Sequence, residues 1–276
     1  MNDAPRHPLR VMGRCARLAG ELGYSALRFA ALSVRHGGTL APSPRARWLQ
    51  HVCRRVLRVF SLEHEVHGPM PTRGLLVCNH LSYLDILVLS ATTPCIFVAK
   101  LEVRGWPVFG WFASRAGTLY LQREARSAAA RVAGEIRAAL DAGMLVVLFP
   151  EGTTSDGRDV LPFKSSLLEA AVGSPHDLSV GHIAYTVSDG SVADEVCYWR
   201  DMTLVPHLLN LLRKQKLGAR LRFAEMSATG ADRKQLAQEL RSAVVRLREC
   251  DPHAATSRAD QPPAVPASKA ASALSS

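Results

Sequence analysis

No cysteine in this 276-residue chain sits at a recognisable pairing distance from another. The six (Cys15, Cys53, Cys78, Cys95, Cys197 and Cys250) are scattered, with no C-x-x-C and no cysteine–histidine pair at ligand spacing. This speaks against a zinc site and against a disulfide framework, and it fits a reducing, cytoplasmic setting. Also missing is any G-x-S-x-G, so the chain has no hydrolase-type nucleophile elbow. No internal repeat is visible. Nor is there a long uninterrupted apolar run. The best candidate, LAGELGYSALRFAALSV from Leu18 to Val34, is broken by Glu21 and Arg28 and barely long enough to span a bilayer. It also lacks the unbroken apolar core of a signal peptide. It reads as a buried or interfacial helix.

Acidic residues are scarce at the N-terminus. Residues 1–60 contain 11 arginines, no lysine, and only Asp3 and Glu21 as acids, so this stretch carries +9 of the formal net charge of +10. Such asymmetry points to an anionic partner, either a membrane surface or nucleic acid. The pattern favours the membrane. In RARWLQHVCRRVLRVF, Trp48, Val52, Val56 and Phe60 recur every fourth residue beside Leu49, Cys53 and Leu57, with Arg45, Arg47, Arg54, Arg55 and Arg58 around them. A basic amphipathic helix of this kind resembles an interfacial lipid-binding segment. The same face could instead pack on its own domain, and a helix pair could do both. Residues 1–62 are therefore expected to be basic amphipathic helices that dock on an anionic membrane. The expected address is the cytoplasmic face of an inner membrane, with peripheral or shallow insertion and no nucleic acid partner.

From residue 63 to 250, short apolar runs alternate with helical patterns. GLLVC (74–78), CIFVA (95–99), GTLYL (117–121), MLVVLFP (144–150), SVGHIAYTV and ARLRFAEM read as strands. Helical patterns follow at 83–92, 124–142, 165–173, in LVPHLLNLLRK and through DRKQLAQELRSAVVRLREC. The alternation predicts an α/β fold, a mixed sheet flanked by helices. The tail from Asp251 (251–276) is rich in Ala, Pro and Ser, has no periodicity and is expected to be disordered.

Two short stretches stand out. NHLSYLDI, Asn79 to Ile86, puts His80 five positions before Asp85, the only such spacing among the 10 histidines. In a helix the two would lie about 140° apart, and in a strand they would point to opposite faces. Only a strand-to-helix turn could join them, and GLLVC before and YLDILVLSA after suggest one. Such a turn also frees backbone N–H groups for developing negative charge. Alone the spacing is weak, since chance supplies roughly 0.4 such pairs in a chain of this composition. A loop histidine beside a helix-capping aspartate would look the same. The second stretch is VVLFPEGTTSDG, Val146 to Gly157, a strand that runs into a turn bearing Glu151, Gly152 and Thr153. Proline ends strand pairing and glycine lets backbone approach a ligand, although an ordinary strand-end turn would use the same residues. Between the two lies an aromatic-rich connector, Ala99 to Glu124, with Arg123 near its end.

In this order and at these separations, the stretches resemble the glycerolipid acyltransferase family, the membrane lysophospholipid acyltransferases. NHLSYLD matches the His-x4-Asp block, GTLYLQR looks like the second block with its phosphate-binding arginine, and FPEGT matches the third. The resemblance spans roughly residues 65–225. Two places depart from it. GHIAYTVSDG lacks the proline common in the fourth block, and Thr154 stands where many members carry Arg or Lys. The run CYWRDMTLVPHL resembles a subgroup that acylates lyso-lipids, some without a glycerophosphate.

The resemblance implies O-acyl transfer from a thioester to a lyso-lipid hydroxyl, with 1-acyl-sn-glycerol-3-phosphate as the leading acceptor and lyso-ornithine lipid as the alternative. His80 would be the general base, help typically worth about 10²–10⁴ in rate. Asp85 would fix the imidazole tautomer, as a triad aspartate does. The acceptor's own hydroxyl replaces a serine nucleophile, and Ser82 reads as a turn residue. Oxyanion donors are expected at the helix start after His80 or around Gly152. For substrate binding, Arg123 is the candidate cation, with Lys164 a second. Glu151 is expected to orient Arg123 or bond a glycerol hydroxyl, on the same turn as Gly152 and Thr153. No metal or bound cofactor is implied, and the donor is acyl-CoA or acyl carrier protein as cosubstrate. A non-catalytic lipid-binding protein is the competing class.

Overall fold

The computed structural model describes residues 8–121, 126–227 and 232–251. In chain order the elements are helices α1 (Pro8–Arg35) and α2 (Pro42–Phe60), strands β1 (Leu62–His67) and β2 (Gly74–Cys78), α3 (Leu84–Thr92) and β3 (Ile96–Lys100). Next come a 3-10 turn (Leu101–Gly105), α4 (Phe109–Ala116), β4 (Leu119–Leu121), α5 (Arg126–Asp141), β5 (Leu145–Leu148) and a second 3-10 turn (Ser165–Leu168). The chain closes with β6 (Leu178–Val187), α6 (Val192–Glu195), α7 (Leu204–Arg213), β7 (Leu217–Met226) and α8 (Arg233–Glu249).

The strands form one seven-stranded sheet in the order β1-β7-β6-β2-β5-β3-β4. Every neighbouring pair is parallel except β6 with β7, so the sheet is mixed, as expected. Its centre is covered on both faces, which is why β2 and β5 read as unbroken apolar runs rather than alternating ones. Odd and even positions then part to opposite faces. Leu76, Cys78, Leu145, Val147 and Phe149 join one core with α2, α3 and α7, whereas Leu75, Val77, Val146 and Leu148 join the other with α5 and α8.

Of the two readings left open for α2 the structure selects one, one strand was not foreseen, and one expected helix is corrected. The apolar face of α2 is not directed at lipid: Trp48, Leu49, Val52, Cys53, Val56, Leu57 and Phe60 are all buried in the domain core. Burying each such large side chain contributes about 1.5–3 kcal/mol, and the indole N–H of Trp48 also donates to Ser25 O of α1 at 2.9 Å. β1 was not anticipated, because LEHEVH is a mostly polar edge strand with little apolar signal. The helix expected over 165–173 is only the short 3-10 turn at Ser165–Leu168.

Helix α1 starts ten residues earlier than the apolar run suggested, at Pro8 rather than Leu18. Cys15, Leu18, Leu22, Phe29 and Leu32 pack inward. Outward it exposes Leu9, Met12, Tyr24, Leu27 and Val34, with Ala16, Ala19, Gly20, Gly23, Ala30 and Ala31 between them, and no charge falls on that stripe. Glu21, which interrupts the run, pairs with Arg55 of α2. Among the described residues, no helix is long and apolar enough to cross a membrane. Of the tail, residues 252–276 lie outside the described residues.

Candidate active site

β2 and β5 run side by side and leave the sheet at the same end, and β6 runs parallel to β2 on its other side. The carboxyl ends of parallel strands are where α/β folds open a crevice. Here β2 ends in Asn79-His80, β5 in Phe149-Pro150-Glu151, and β6 carries Tyr185 near its end.

The turn from β2 to α3 folds back on itself. His80 Nδ1 meets Asp85 Oδ2 at 2.7 Å, so the five-residue spacing is closed by the strand-to-helix turn. The same oxygen accepts the backbone N–H groups of Leu81 (2.7 Å) and Ser82 (3.1 Å). Asp85 therefore satisfies loop amides at the helix start and holds the imidazole at once. Its second oxygen, Oδ1, accepts the Tyr185 hydroxyl at 2.6 Å. Burial, and then the neighbouring Asp85 charge, push the Tyr185 phenol well above its ordinary range, so it stays protonated and donates. Asp85 is fully buried, whereas the His80 side chain keeps 19% exposure.

Asn79 locks the turn to the sheet. Its amide nitrogen donates to Ile183 O at 3.0 Å and its oxygen accepts Ile183 N–H at 2.8 Å. The imidazole stacks on Phe149 with ring centroids 4.1 Å apart and planes 12° apart. With Nδ1 donating to a carboxylate, the lone pair is left on Nε2, the nitrogen that can take a proton from a substrate.

Glu151 turns inward and is 2% exposed. Its two oxygens accept the backbone N–H groups of His80 (3.0 Å) and Leu161 (3.3 Å). Burial raises its carboxyl to about 8, against the two amides, with Asp85 adding to the rise and Arg241 opposing it. Glu151 is thus tied to the backbone of the His80 turn and of Leu161. Gly152 adopts φ +66°, and a Cβ there would lie 2.8 Å from Lys164 Nζ, so this turn requires glycine and brings a lysine ammonium over it. Thr153 is exposed on the same turn, and Ser155 N–H returns to His80 O at 3.1 Å. Arg123 lies outside the described residues. Ser82 is fully buried.

The amides at the start of α3 are engaged: those of Leu81 and Ser82 by Asp85, that of Asp85 by Ser82 O. Sequence reasoning missed Tyr185 and the clamp made by Asn79. Asn79 sat inside the quoted motif without a role, and nothing in the sequence marks Tyr185. Cys78, beside the motif, is fully buried, and that burial drives its thiol well above the ordinary range.

Comparison with known proteins is consistent with this geometry. The family profile described as Acyltransferase matches residues 63–188. A lyso-ornithine lipid O-acyltransferase of Brucella abortus is 41% identical, covering 63% of this chain and 70% of the relative. One from Pseudomonas aeruginosa is 32% identical over 86% of this chain and 92% of its own. A 1-acyl-sn-glycerol-3-phosphate acyltransferase of Neisseria meningitidis is 32% identical, covering 66% and 72%. The crystal structure of the 1-acyl-sn-glycerophosphate acyltransferase of Thermotoga maritima superposes with a TM-score of 0.63 over 90% of this chain and 98% of that one, at 18% identity, and shows the shared fold.

Proposed function

The chain belongs to the glycerolipid (lysophospholipid) acyltransferase family, and on that premise we propose that His80 is the base of an acyl transfer from a thioester to the free hydroxyl of a membrane lyso-lipid. The 2.7 Å contact between His80 Nδ1 and Asp85 Oδ2 carries this reading. Nε2 takes the hydroxyl proton as the oxygen attacks the thioester carbonyl. The C–O bond forms, the tetrahedral intermediate expels the thiolate, and the imidazolium returns the proton to sulfur. Asp85, holding four hydrogen bonds, keeps the ring in the required tautomer and stabilises the imidazolium. The amides of Thr153 and Thr154, next to the Ser155 N–H that reaches His80 O, are our candidates for the oxyanion. Lys164 over Gly152, with Arg123, would meet an anionic headgroup. Glu151 acts by positioning the His80 backbone. The donor is acyl-CoA or acyl carrier protein.

Two acceptors suit this chemistry. Lysophosphatidate follows from the order of the motifs and from the Neisseria relative. Lyso-ornithine lipid is supported by a separate observation, the four relatives so named at 32% to 41% identity. Thr154, in place of a cation, favours it too. The uncharged apolar stripe on the outer face of α1, with arginines beside it, supports a peripheral or shallow seat on the cytoplasmic face of an inner membrane. The test is an acyl-transfer assay on membranes containing the protein, with both acceptors supplied in parallel and His80→Ala as control. A labelled product that vanishes in the control identifies the acceptor and the base together. Transfer that persists in His80→Ala overturns the proposal.

A further inference from the structure

One apolar run of the catalytic domain is not interior. Eight of the twelve residues from Leu101 to Phe112 (LEVRGWPVFGWF) are apolar, yet only Gly110 is buried. Leu101, Val108 and Trp111 are all exposed, Val108 to 51%. The segment is not loose. Gly110 passes so close to the 3-10 turn that a Cβ on it would lie 2.2 Å from Arg104 O, which closes residues 104–110 into a compact hairpin. At the tip, Phe109 N–H bonds Pro107 O at 2.6 Å around Val108, whose φ is +62° and ψ −59°. That is a strained three-residue turn, and a β-branched residue rarely tolerates it. Strain of this kind persists where the surroundings hold it and often marks a functional surface. Here it points a valine into solvent.

The charges around the segment have one dominant sign. Lys100 and Arg115 flank it and Arg104 lies within it, against Glu102 as the one acid from residue 100 to 115. Arg115 lies over the Trp111 ring at 5.5 Å and the Phe29 ring of α1 at 5.7 Å, so the segment adjoins the helix that carries the outward apolar stripe. Half-exposed tryptophans with arginines beside them suit the level of lipid headgroups. The inner side of the hairpin leads to the catalytic turn. Phe109 packs on Tyr83 at 6.0 Å, and Trp106 packs on Tyr198 at 6.4 Å, whose N–H bonds Leu81 O at 2.8 Å.

We infer that the Leu101–Phe112 hairpin is a second bilayer contact, which inserts Val108 and Trp111 among the headgroups of an anionic membrane and so sets the His80 turn at the lipid surface. It deepens the reading of a membrane-borne acceptor. The test needs no turnover, so failure of insertion and failure of the transferase reading can be told apart. Intact protein is mixed with vesicles of phosphatidylcholine containing a minority of phosphatidylglycerol, brominated near the headgroup end of the chains, and tryptophan quenching is measured. Wild type should be quenched, Trp111→Phe should lose about half of that quenching, and Val108→Glu should weaken vesicle partitioning about tenfold. Far-UV dichroism verifies that each variant is folded. The inference is overturned if Trp111→Phe is quenched as strongly as wild type, or if folded Val108→Glu partitions unchanged.

Discussion

Tyr185 and Asp85 stand 100 residues apart in the chain and meet at 2.6 Å, the phenol donating to the carboxylate oxygen that the imidazole does not use. Each oxygen of Asp85 is thereby fixed, and the carboxylate cannot rotate away from His80. A hydrogen bond to a charged group contributes about 1.5–3 kcal/mol. Tyr185→Phe should therefore lower kcat at least about tenfold, with acceptor KM little changed, because the missing hydroxyl is buried against Asp85. Steady-state kinetics on wild type and variant decide it. A change confined to KM would contradict the positioning role.

Asp85→Asn poses a harsher test of the same network. The amide is isosteric but neutral: its NH2 fits only on the Tyr185 side, where the hydroxyl would have to accept instead of donate, and no carboxylate charge remains to stabilise the imidazolium. Loss on the order of 10³–10⁴ in kcat is expected, by the logic of a triad aspartate. The four hydrogen bonds at Asp85 also serve the loop, so a lowered melting temperature should accompany the loss. A variant with near-normal turnover would remove Asp85 from the mechanism.

The legible and illegible parts of this site divide by distance along the chain. The pairing of His80 with Asp85 was readable because an apolar strand and an apolar helix flank the five-residue spacing and because NHLSYLD and FPEGT together resemble a known family. The turn at Glu151 was readable as a feature, but its two backbone partners were not, since any residue supplies an amide. Tyr185 and the partner of Asn79 depend on β6 lying beside β2, and no local pattern reveals strand order. The face of α2 was left between two readings for a related reason. An apolar stripe ringed by arginines serves a core or a bilayer equally well, and only the packing of α3 and α7 against it decides.

Glu151 makes stability depend on pH in a defined sense. Its carboxyl rises from 4.5 to about 8 on folding, chiefly through burial. Between these values the folded protein holds a proton that the unfolded chain has released. Its contribution is therefore complete below 4.5 and is lost as pH climbs through about 8. The melting temperature of wild type should fall across that window more steeply than that of Glu151→Gln. The variant starts lower, because its amide NH2 opposes one of the two backbone N–H donors, a cost of about 1–3 kcal/mol. Parallel slopes in the two proteins would show that Glu151 does not titrate there.

Gly152→Ala combines two penalties. An L-residue at φ +66° costs roughly 1–2 kcal/mol, and the new methyl displaces the Lys164 ammonium from the turn. The lysine can swing aside, so the fold should survive with a modest drop in melting temperature. If Lys164 meets the acceptor's headgroup, acceptor KM should rise severalfold while donor KM stays put. Isotope-labelled acyl transfer at varied acceptor concentration separates the two.

The two N-terminal helices should respond in opposite ways to substitution. Trp48 is 1% exposed, stacks on Phe112 at 5.5 Å and bonds Ser25 O, so Trp48→Ala should cost about 3–5 kcal/mol of stability whether or not lipid is present. Leu27 sits on the outer stripe of α1, 73% exposed, with no interior contact to lose. Leu27→Asp should leave the melting temperature within a few degrees yet weaken binding to anionic vesicles. Thermal melts and vesicle sedimentation on both variants give a double dissociation. Were Trp48→Ala to release the protein from vesicles without destabilising it, α2 rather than α1 would be the helix that meets the membrane.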